Sequence, residues 1–270
     1  MSIRRVQPSD WPEFYALAAK EGWKVPQLER RLFEESWSEF VQVFEEGCFG
    51  GLVTAVAYER SGWIGNLIVP RQLRGRGIGS SLFRAALSAL EERGIASCWL
   101  TASVSGQPLY EKAGFVVVDQ IERWVRNKGF GSGQSEGVKA TEVETLFACD
   151  RVAWEENRQA LLGRISTEGQ VFACDGSVAL LQRGDDLQIL GPWYSETQCP
   201  RANRQLLLQL LAAIDPSVEV VVDILLSSPL RPLLAATGFR PVGCNQLMVK
   251  GRERIDLKTV VSLASLGSIG

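Results

Sequence analysis

The sequence predicts a mixed α/β protein in which one fold occurs twice in tandem. Apolar runs of strand length alternate with stretches of helical periodicity up to about residue 126, and a similar order returns in fainter form further on. The segment between the two halves, residues 129–137, is rich in glycine and serine and is typical of a flexible linker. A hairpin loop within one domain is the alternative. We therefore predict domains at residues 1–128 and 138–270.

The first half predicts a strand, two helices, three strands, a helix, a strand, a helix and a strand. Their predicted ranges are 3–6, 10–22, 27–37, 40–44, 51–58, 63–69, 80–93, 97–102, 107–113 and 115–125. Asp10 is a favourable N-cap for the first helix. The 63–69 strand is almost entirely apolar, as expected of a central strand covered on both faces. Gly94 and Gly114 end the helices that precede them.

The second half predicts the same kinds of element in a similar order. The predicted ranges are a helix-bearing segment at 141–150, a helix at 153–165, strands at 170–174, 178–182 and 187–190, a helix at 202–214, a strand at 218–225, a short helix at 230–237 and one or two strands within 239–249. Gly191 and Pro192 end the third strand in this prediction. Residues 255–270 fit a docked helix or strand, or a frayed end.

Composition and charge favour an ordinary soluble protein. The 270 residues are 46% hydrophobic and 22% charged, and the formal net charge of −2 argues against a nucleic-acid partner held by a broad basic surface. No apolar run approaches the roughly 18 residues of a membrane span, and the first residues show no signal-peptide core. We expect no membrane partner and a cytoplasmic location.

Cysteine and histidine usage narrows the chemistry. The six cysteines include no Cys-x-x-Cys pair, and Cys98 and Cys174 lie in apolar runs where buried free thiols are usual. These features favour a reducing compartment. Histidine is absent, which excludes Ser–His, Cys–His and His–metal chemistry.

A glycine-rich turn from Arg74 to Gly79 follows the apolar strand and begins an amphipathic helix. Glycines in such a turn let backbone N–H groups converge on an anion, and the positive end of the helix dipole adds to the attraction. The arrangement is suited to holding a pyrophosphate.

This stretch resembles the GNAT superfamily of N-acetyltransferases. The family's phosphate loop reads Arg/Gln-x-x-Gly-x-Gly/Ala, and its later element reads Tyr-x-x-x-Gly-Phe. The matching residues here are Arg74, Gly77, Gly79, Tyr110, Gly114 and Phe115. The whole chain resembles a bacterial tandem group in which an active N-terminal GNAT domain precedes a degenerate C-terminal one. The second half has residues 191–200 in place of a phosphate loop.

The resemblance implies two acyl-CoA N-acyltransferase folds, each with a mixed, mostly antiparallel twisted sheet flanked by helices. It implies acetyl-CoA as the cofactor and no metal. The implied coenzyme A site comprises Leu67, Ile68, Val69, Arg74, Gly75, Arg76, Gly77, Ile78, Gly79, Ser80, Ser105 and Tyr110. Within it, the Val69 backbone N–H is the implied oxyanion donor and Tyr110 the general acid.

The general base stays unassigned in this interpretation. Many relatives place a glutamate near the position of Trp63, but the 63–69 strand contains no carboxylate. Glu59 is one candidate for the base. The alternative is that Glu59 is only an exposed glutamate at the end of a hairpin. Trp23 and Trp37 either line an acceptor pocket or pack in the core. Asp223 is either a substrate contact or a strand-end cap.

The sequence therefore predicts an acetyl-CoA-dependent N-acetyltransferase. The acceptor would be a primary amine of a small molecule or peptide, attacking directly in a ternary complex. The alternative is a non-catalytic acetyl-CoA sensor or interaction protein. Either would be a monomer or a homodimer.

Overall fold

A computed structural model describes residues 2–36, 40–45, 47–129, 140–185, 187–251 and 255–270. The first half of the chain forms β1 (Ser2–Arg5), α1 (Asp10–Lys20), α2 (Gln27–Ser36), β2 (Gln42–Glu45), β3 (Phe49–Ala57), β4 (Ser61–Ile68), α3 (Ile78–Glu91), β5 (Ser97–Ala102), α4 (Gln107–Lys112) and β6 (Val116–Arg126). The second half forms α5 (Val143–Trp154), α6 (Gln159–Ile165), β7 (Gln170–Cys174), β8 (Ser177–Gln182), β9 (Leu187–Ser195), α7 (Pro200–Ala213), β10 (Glu219–Leu225), α8 (Arg231–Ala236), β11 (Arg240–Lys250) and β12 (Val260–Ser262). The predicted mixed α/β class is confirmed.

The chain divides into two compact units that are not continuous in sequence. The first unit comprises Met1–Val116, Met248–Glu253 and Leu266–Gly270, and the second comprises Val117–Leu247 and Arg254–Ser265. The predicted boundaries follow chain order, whereas each unit takes residues from both halves. As functional domains, segments 1–128 and 138–270 stay a prediction. The predicted linker, 129–137, lies outside the described residues except for Gly129.

The sheet of the first unit runs β1-β2-β3-β4-β5, followed by the last residues of β11. β1 to β4 are antiparallel neighbours, and β4 pairs with β5 in parallel. The helix α3 packs against β3 and β4, and α1 packs against β3. The amphipathic pattern of α3 explains this packing, because its apolar face is buried.

The sheet of the second unit runs β11-β6-β10-β12-β9-β8-β7. β7, β8 and β9 are antiparallel neighbours, and β9 pairs with β10 in parallel. The helix α7 packs against β7 and β8. The apolar core of the second unit includes Trp124, Phe172, Trp193, Leu206 and Ile224. Two helices, three antiparallel strands, a helix, a parallel strand and a short helix therefore occur in the same order in both halves of the chain.

Two predicted elements were wrong in extent. The predicted helix at 153–165 is interrupted, because Glu155 has a φ of +54° and a left-handed residue cannot continue a right-handed helix. The predicted strand at 187–190 continues to Ser195 as β9. β9 has one residue more than β8 between the pairs Ala179–Trp193 and Leu181–Leu190. The Gly191-Pro192 step lies in this bulge, where proline is tolerated because it need not donate to the ladder.

Two ion pairs with buried carboxylates lie in the second unit. Asp223, which lies directly opposite Arg123, receives two hydrogen bonds of 2.7 Å from the Arg123 guanidinium. Asp150 and Arg158 form the second pair at 2.8 Å, and both are almost completely buried. Both carboxylates accept hydrogen bonds from a guanidinium, and a buried charge requires such partners.

All six cysteines are free thiols. Cys98 is buried as predicted, whereas Cys174 is half-buried because β7 is the edge strand of its sheet. In the described part of the chain, every helix is too short or too polar to cross a bilayer.

Candidate active site

A β-bulge in β4 shapes the candidate site. Leu52 pairs with Ile68 and Thr54 with Gly65, so β4 has one residue more than β3 between these pairs. Asn66 lies at this point with a φ of +51°, a left-handed conformation that asparagine tolerates better than most residues. A bulge bends its strand and interrupts the ladder. The bulge therefore redirects residues 67–69, which the sequence predicts to contact the cofactor.

β4 and β5 are paired only along their first residues. The parallel ladder joins Ser61–Trp63 to Ser97–Trp99, three residue pairs in all. Beyond this ladder, β4 pairs with β3 through Gly65 and Ile68. Residues 67–69 therefore lie beyond the ladder, where β4 has no described pairing with β5. An extended ligand can complete such an edge by pairing like an additional strand.

The glycine-rich turn has the backbone geometry that the sequence predicts. Gly75 and Gly77 have φ values of +77° and +81°, and Gly77 caps the N-terminus of α3. A Cβ added at either position would meet nothing within 4 Å. Glycine is thus required here by its left-handed backbone, since the space beside the turn is open. That open space is where an anion would approach.

The first turn of α3 supplies backbone donors at this turn. The first described hydrogen bond within the helix runs from the Ser81 N–H to the Gly77 carbonyl at 3.0 Å. The amides of Ile78, Gly79 and Ser80 precede it, and amides in a first turn have no carbonyl partner within their own helix. They point along the helix axis with the positive end of the dipole.

Arg74 is engaged with the protein itself. Its Nε donates to the Val69 carbonyl oxygen at 2.9 Å, and its guanidinium pairs with Glu21 at 2.9 Å. Arg74 therefore ties the glycine-rich turn to the end of β4. The side chain of Arg76 is exposed.

Tyr110 lies on α4 with its ring packed against α3. Its ring centroid is 5.0 Å from that of Phe83 and 6.2 Å from that of Phe115. Burial raises the pKa of the Tyr110 phenol to about 12, so it is protonated at neutral pH. Ser105 lies in the exposed turn before α4, where its Oγ is 3.2 Å from the Ser103 Oγ.

A buried carboxylate that the sequence interpretation missed lies against the bulge. Glu29 on α2 is 6% exposed, and its Oε1 accepts a hydrogen bond of 2.9 Å from Asn66 Nδ2. An asparagine inside an otherwise apolar strand was the sequence signal that could have indicated a polar partner here. Its partner could not be named, because the two residues are 37 positions apart.

The comparisons with known proteins agree with this geometry. Residues 15–127 match the family model described as "Acetyltransferase (GNAT) domain". Residues 15–127 are therefore similar to acetyltransferase domains of the GNAT family. The chain is 29% identical over 130 residues to the N-alpha-acetyltransferase MAK3 of Arabidopsis thaliana. That alignment covers 45% of this chain and 64% of the relative.

Two solved structures share the fold over nearly the whole chain. A protein of Pyrococcus horikoshii assigned as an acetyltransferase superposes with a TM-score of 0.81 at 19% identity, covering 98% of this chain and 94% of that one. A GCN5-related N-acetyltransferase of Sphaerobacter thermophilus superposes with a TM-score of 0.68 at 15% identity, covering 96% and 98%. At these identities the likeness establishes the fold.

Four other residues were considered as site residues from the sequence. Glu59 is exposed in the turn between β3 and β4. Trp23 follows α1 and is 40% exposed, and Trp37 lies outside the described residues. Asp223 is neither a strand-end cap nor exposed, because it forms the buried ion pair with Arg123.

The second unit differs from the first at the corresponding pair of strands. There β9 and β10 are also joined by a parallel ladder of three residue pairs. Beyond it, β12 lies between them, with Val260 opposite Tyr194 and Ser262 opposite both Trp193 and Ile224. The Leu263 N–H also donates to the Asp223 carbonyl at 3.0 Å. In the second unit, β12 therefore occupies the space between these two strands.

Proposed function

We propose that this protein is an acetyl-CoA-dependent N-acetyltransferase that acetylates a primary amine by direct attack in a ternary complex. The observation that carries this proposal is the combination, within one unit, of the bulged β4, the left-handed glycine turn at the start of α3, and Tyr110 packed against α3. Each feature serves one chemical need of acetyl transfer.

The residues present suit coenzyme A. The open space beside Gly75 and Gly77, together with the first-turn amides of α3, suits a diphosphate. The backbone groups of Ile68 and Val69 suit the amides of a pantetheine arm, which would pair with β4 in the gap before β5. Leu67, Arg76, Ser80 and Ser105 complete the proposed contacts.

The proposed mechanism assigns one role to each group of the chain. The bound thioester supplies the acetyl group and the leaving thiol. The Val69 N–H donates to the carbonyl oxygen as negative charge develops there. Arg74 holds the Val69 carbonyl at 2.9 Å and so limits rotation of the strand end that carries this donor. The Tyr110 hydroxyl holds the proton that the departing thiolate needs.

The elevated pKa of Tyr110 limits how acidic this group is. A phenol with a pKa of about 12 is 3.5 units above a free thiol of about 8.5, so full transfer would be uphill by roughly 5 kcal/mol. Tyr110 therefore acts best by hydrogen bonding to the sulfur as it leaves, with the proton moving late. This differs from the near match of a phenol at pKa 10 that the sequence suggested.

The second unit is proposed as a degenerate GNAT-like domain without a cofactor site. Support comes from the repeated order of elements and from β12, which fills the gap between β9 and β10. We propose segments 1–128 and 138–270 as the two functional domains. Six free thiols favour a reducing, cytoplasmic compartment.

The alternative function is a non-catalytic acetyl-CoA sensor. The observation that favours it is the lack of any carboxylate on β4, where many relatives place their base. Tight binding of acetyl-CoA without turnover of any acceptor would support a sensor.

Two measurements test the proposal. Calorimetry with the full chain should show heat of association with coenzyme A, and its absence would contradict both functions. Thiol release from acetyl-CoA should then be measured with a panel of small primary amines and peptides with free N-termini. The peptides belong in the panel because of the similarity to a plant N-alpha-acetyltransferase.

A further inference from the structure

Glu29 lies at the bend of β4, close to where an acceptor would meet the thioester. It is 6% exposed, and Asn66 Nδ2 donates to its Oε1 at 2.9 Å. The left-handed φ of +51° at Asn66 is what turns this side chain out of the strand pattern and towards α2. The bulge thus both opens the cofactor gap and holds a carboxylate beside it. The inference drawn from this contact rests on the proposed function.

A phenol lies close to the same carboxylate. Tyr15 on α1 stacks against Trp11 with ring centroids 6.3 Å apart, and its hydroxyl is buried without a hydrogen-bond partner among the described residues. The pKa of Tyr15 is raised by burial and, after that, by the negative charge of Glu29. Arg30, the residue after Glu29 on α2, lies 5.6 Å from the Tyr15 ring centre, so the phenol packs beside the helix that carries Glu29. A carboxylate and a phenol oxygen are both hydrogen-bond acceptors.

These groups match the needs of a primary ammonium ion, which carries three N–H donors and a positive charge. Asn66 is three residues before Val69, so their backbones are at most about 11 Å apart. That distance spans an amine and one bridging water. At pH 7 only about one lysine-like amine in 2,500 is neutral, so the reaction needs a group that takes the proton.

We infer that Glu29, positioned by Asn66, binds the ammonium group of the acceptor and is the general base of the reaction. The proton leaves the acceptor nitrogen and binds to the carboxylate, directly or through one water. The freed lone pair forms the new N–C bond, the C–S bond breaks, and the sulfur takes its proton from Tyr110. The nitrogen then loses its second proton, which restores the Tyr110 phenol through water, and the Glu29 carboxyl releases its proton to solvent. The Tyr15 hydroxyl oxygen accepts a second hydrogen bond from the acceptor.

The other charged groups near Tyr15 form a pair of their own. Arg30 lies with its guanidinium carbon 5.6 Å from the Tyr15 ring centre, and it pairs with Glu34 at 3.0 Å. Glu34 and Arg30 also influence Tyr15 electrostatically. Glu34 therefore offers a matched control, because it is a glutamate on the same helix whose described ion pair is with Arg30.

The experiment compares Glu29→Gln with Glu34→Gln in the full chain. Heat of association with acetyl-CoA is measured first, and we expect both variants to bind within about twofold of wild type. Turnover is then measured with the amine and peptide panel, and separately with hydroxylamine, a nucleophile that is already neutral at pH 7. For ammonium acceptors, Glu29→Gln should lose about 100-fold or more in kcat/KM, whereas Glu34→Gln should not.

Three further results bear on the inference. Hydroxylamine turnover should survive in Glu29→Gln, because no proton needs to be removed before attack. The loss with ammonium acceptors should shrink as pH rises towards the pKa of the acceptor. Asn66→Ala, which keeps the carboxylate but removes its hydrogen bond, should show a smaller loss of about tenfold, and it replaces Glu29→Gln if that variant does not fold.

The possible failures can be told apart. If wild type binds acetyl-CoA but turns over no probe, the proposed enzymatic function and this inference both fail. If wild type turns over ammonium acceptors and Glu29→Gln keeps a kcat/KM within threefold, only the inference is overturned. An equal loss with hydroxylamine and with ammonium acceptors would also overturn it, because it would show a structural role.

Discussion

The guanidinium of Arg74 donates through Nε to the carbonyl oxygen of Val69 at 2.9 Å. This bond links the first residue of the glycine-rich turn to the residue whose N–H is the proposed oxyanion donor. The same guanidinium pairs with Glu21 at 2.9 Å, so two contacts restrain it. These contacts of Arg74 therefore restrain the backbone at the end of β4.

Replacing Arg74 with lysine should lower kcat by about tenfold while acetyl-CoA affinity changes less than threefold. Lysine keeps the charge but cannot reproduce the planar fork, and a hydrogen bond from a charged group is worth about 1.5–3 kcal/mol. Arg71→Lys is the control, since Arg71 also pairs with Glu21 but has no described contact with Val69. A large loss of affinity with unchanged kcat would assign Arg74 to the phosphates instead.

Gly77→Ala should weaken acetyl-CoA binding more than tenfold, whereas Gly94→Ala should leave the affinity unchanged. The two glycines flank α3, have φ values of +81° and +78°, and have open space where a Cβ would be. Both substitutions should therefore cost the same, about 1–2 kcal/mol of stability. Only Gly77 orients amides of the proposed phosphate site. Equal affinities for the two variants, measured by calorimetry, would rule out this role of the turn.

Tyr110→Phe should lower kcat by about 100-fold without changing the dissociation constant of acetyl-CoA. Because the pKa of Tyr110 is about 12, ionisation of this residue should not lower the wild-type kcat at any pH below about 11. A fall near pH 8 or 9 that disappears in Tyr110→Phe would contradict the assignment.

Tyr110 also predicts a pH dependence of stability. Its folded pKa of about 12 exceeds the unfolded value of about 10, so the folded state holds the proton more tightly. The contribution of this proton to the free energy of unfolding is complete below pH 10 and is lost as pH rises from 10 to 12. A difference of two pKa units corresponds to at most about 3 kcal/mol. Urea unfolding should show a shallower alkaline loss for Tyr110→Phe than for wild type. Parallel pH profiles would show that the ring is solvated.

Gly65→Ala should destabilise the protein by about 1–3 kcal/mol. A Cβ at Gly65 would lie 2.6 Å from the Ser268 Cα, within the segment whose Gly267 carbonyl accepts hydrogen bonds from Trp63 and Thr101. Gly163→Ala in α6 is the control, because nothing lies within 4 Å and alanine favours a helix. Equal urea midpoints for the two variants would show that residues 266–270 do not pack on β4.

Local patterns in the sequence were sufficient to predict most elements of the first half. The glycine-rich turn, the helix after it and the apolar strand before it depend on spacing within about 20 residues, and the structure confirms all three. The strand at 97–102 was predicted with the observed bounds. Residues 255–270 could not be placed, because their strand pairs with β9 and β10 through contacts that no local pattern encodes.

The sequence by itself determined the fold class, the glycine-rich turn and the position of Tyr110, because periodicity, turn chemistry and helix ends act between near neighbours. Only the tertiary structure decided that β12 fills the gap of the second unit, that Asp223 pairs with Arg123, and that Glu29 meets Asn66. Each of these contacts joins residues 37 or more positions apart. Their pairing depends on which buried polar and backbone groups can satisfy one another once the strands have packed, and that selection has no local sequence signal.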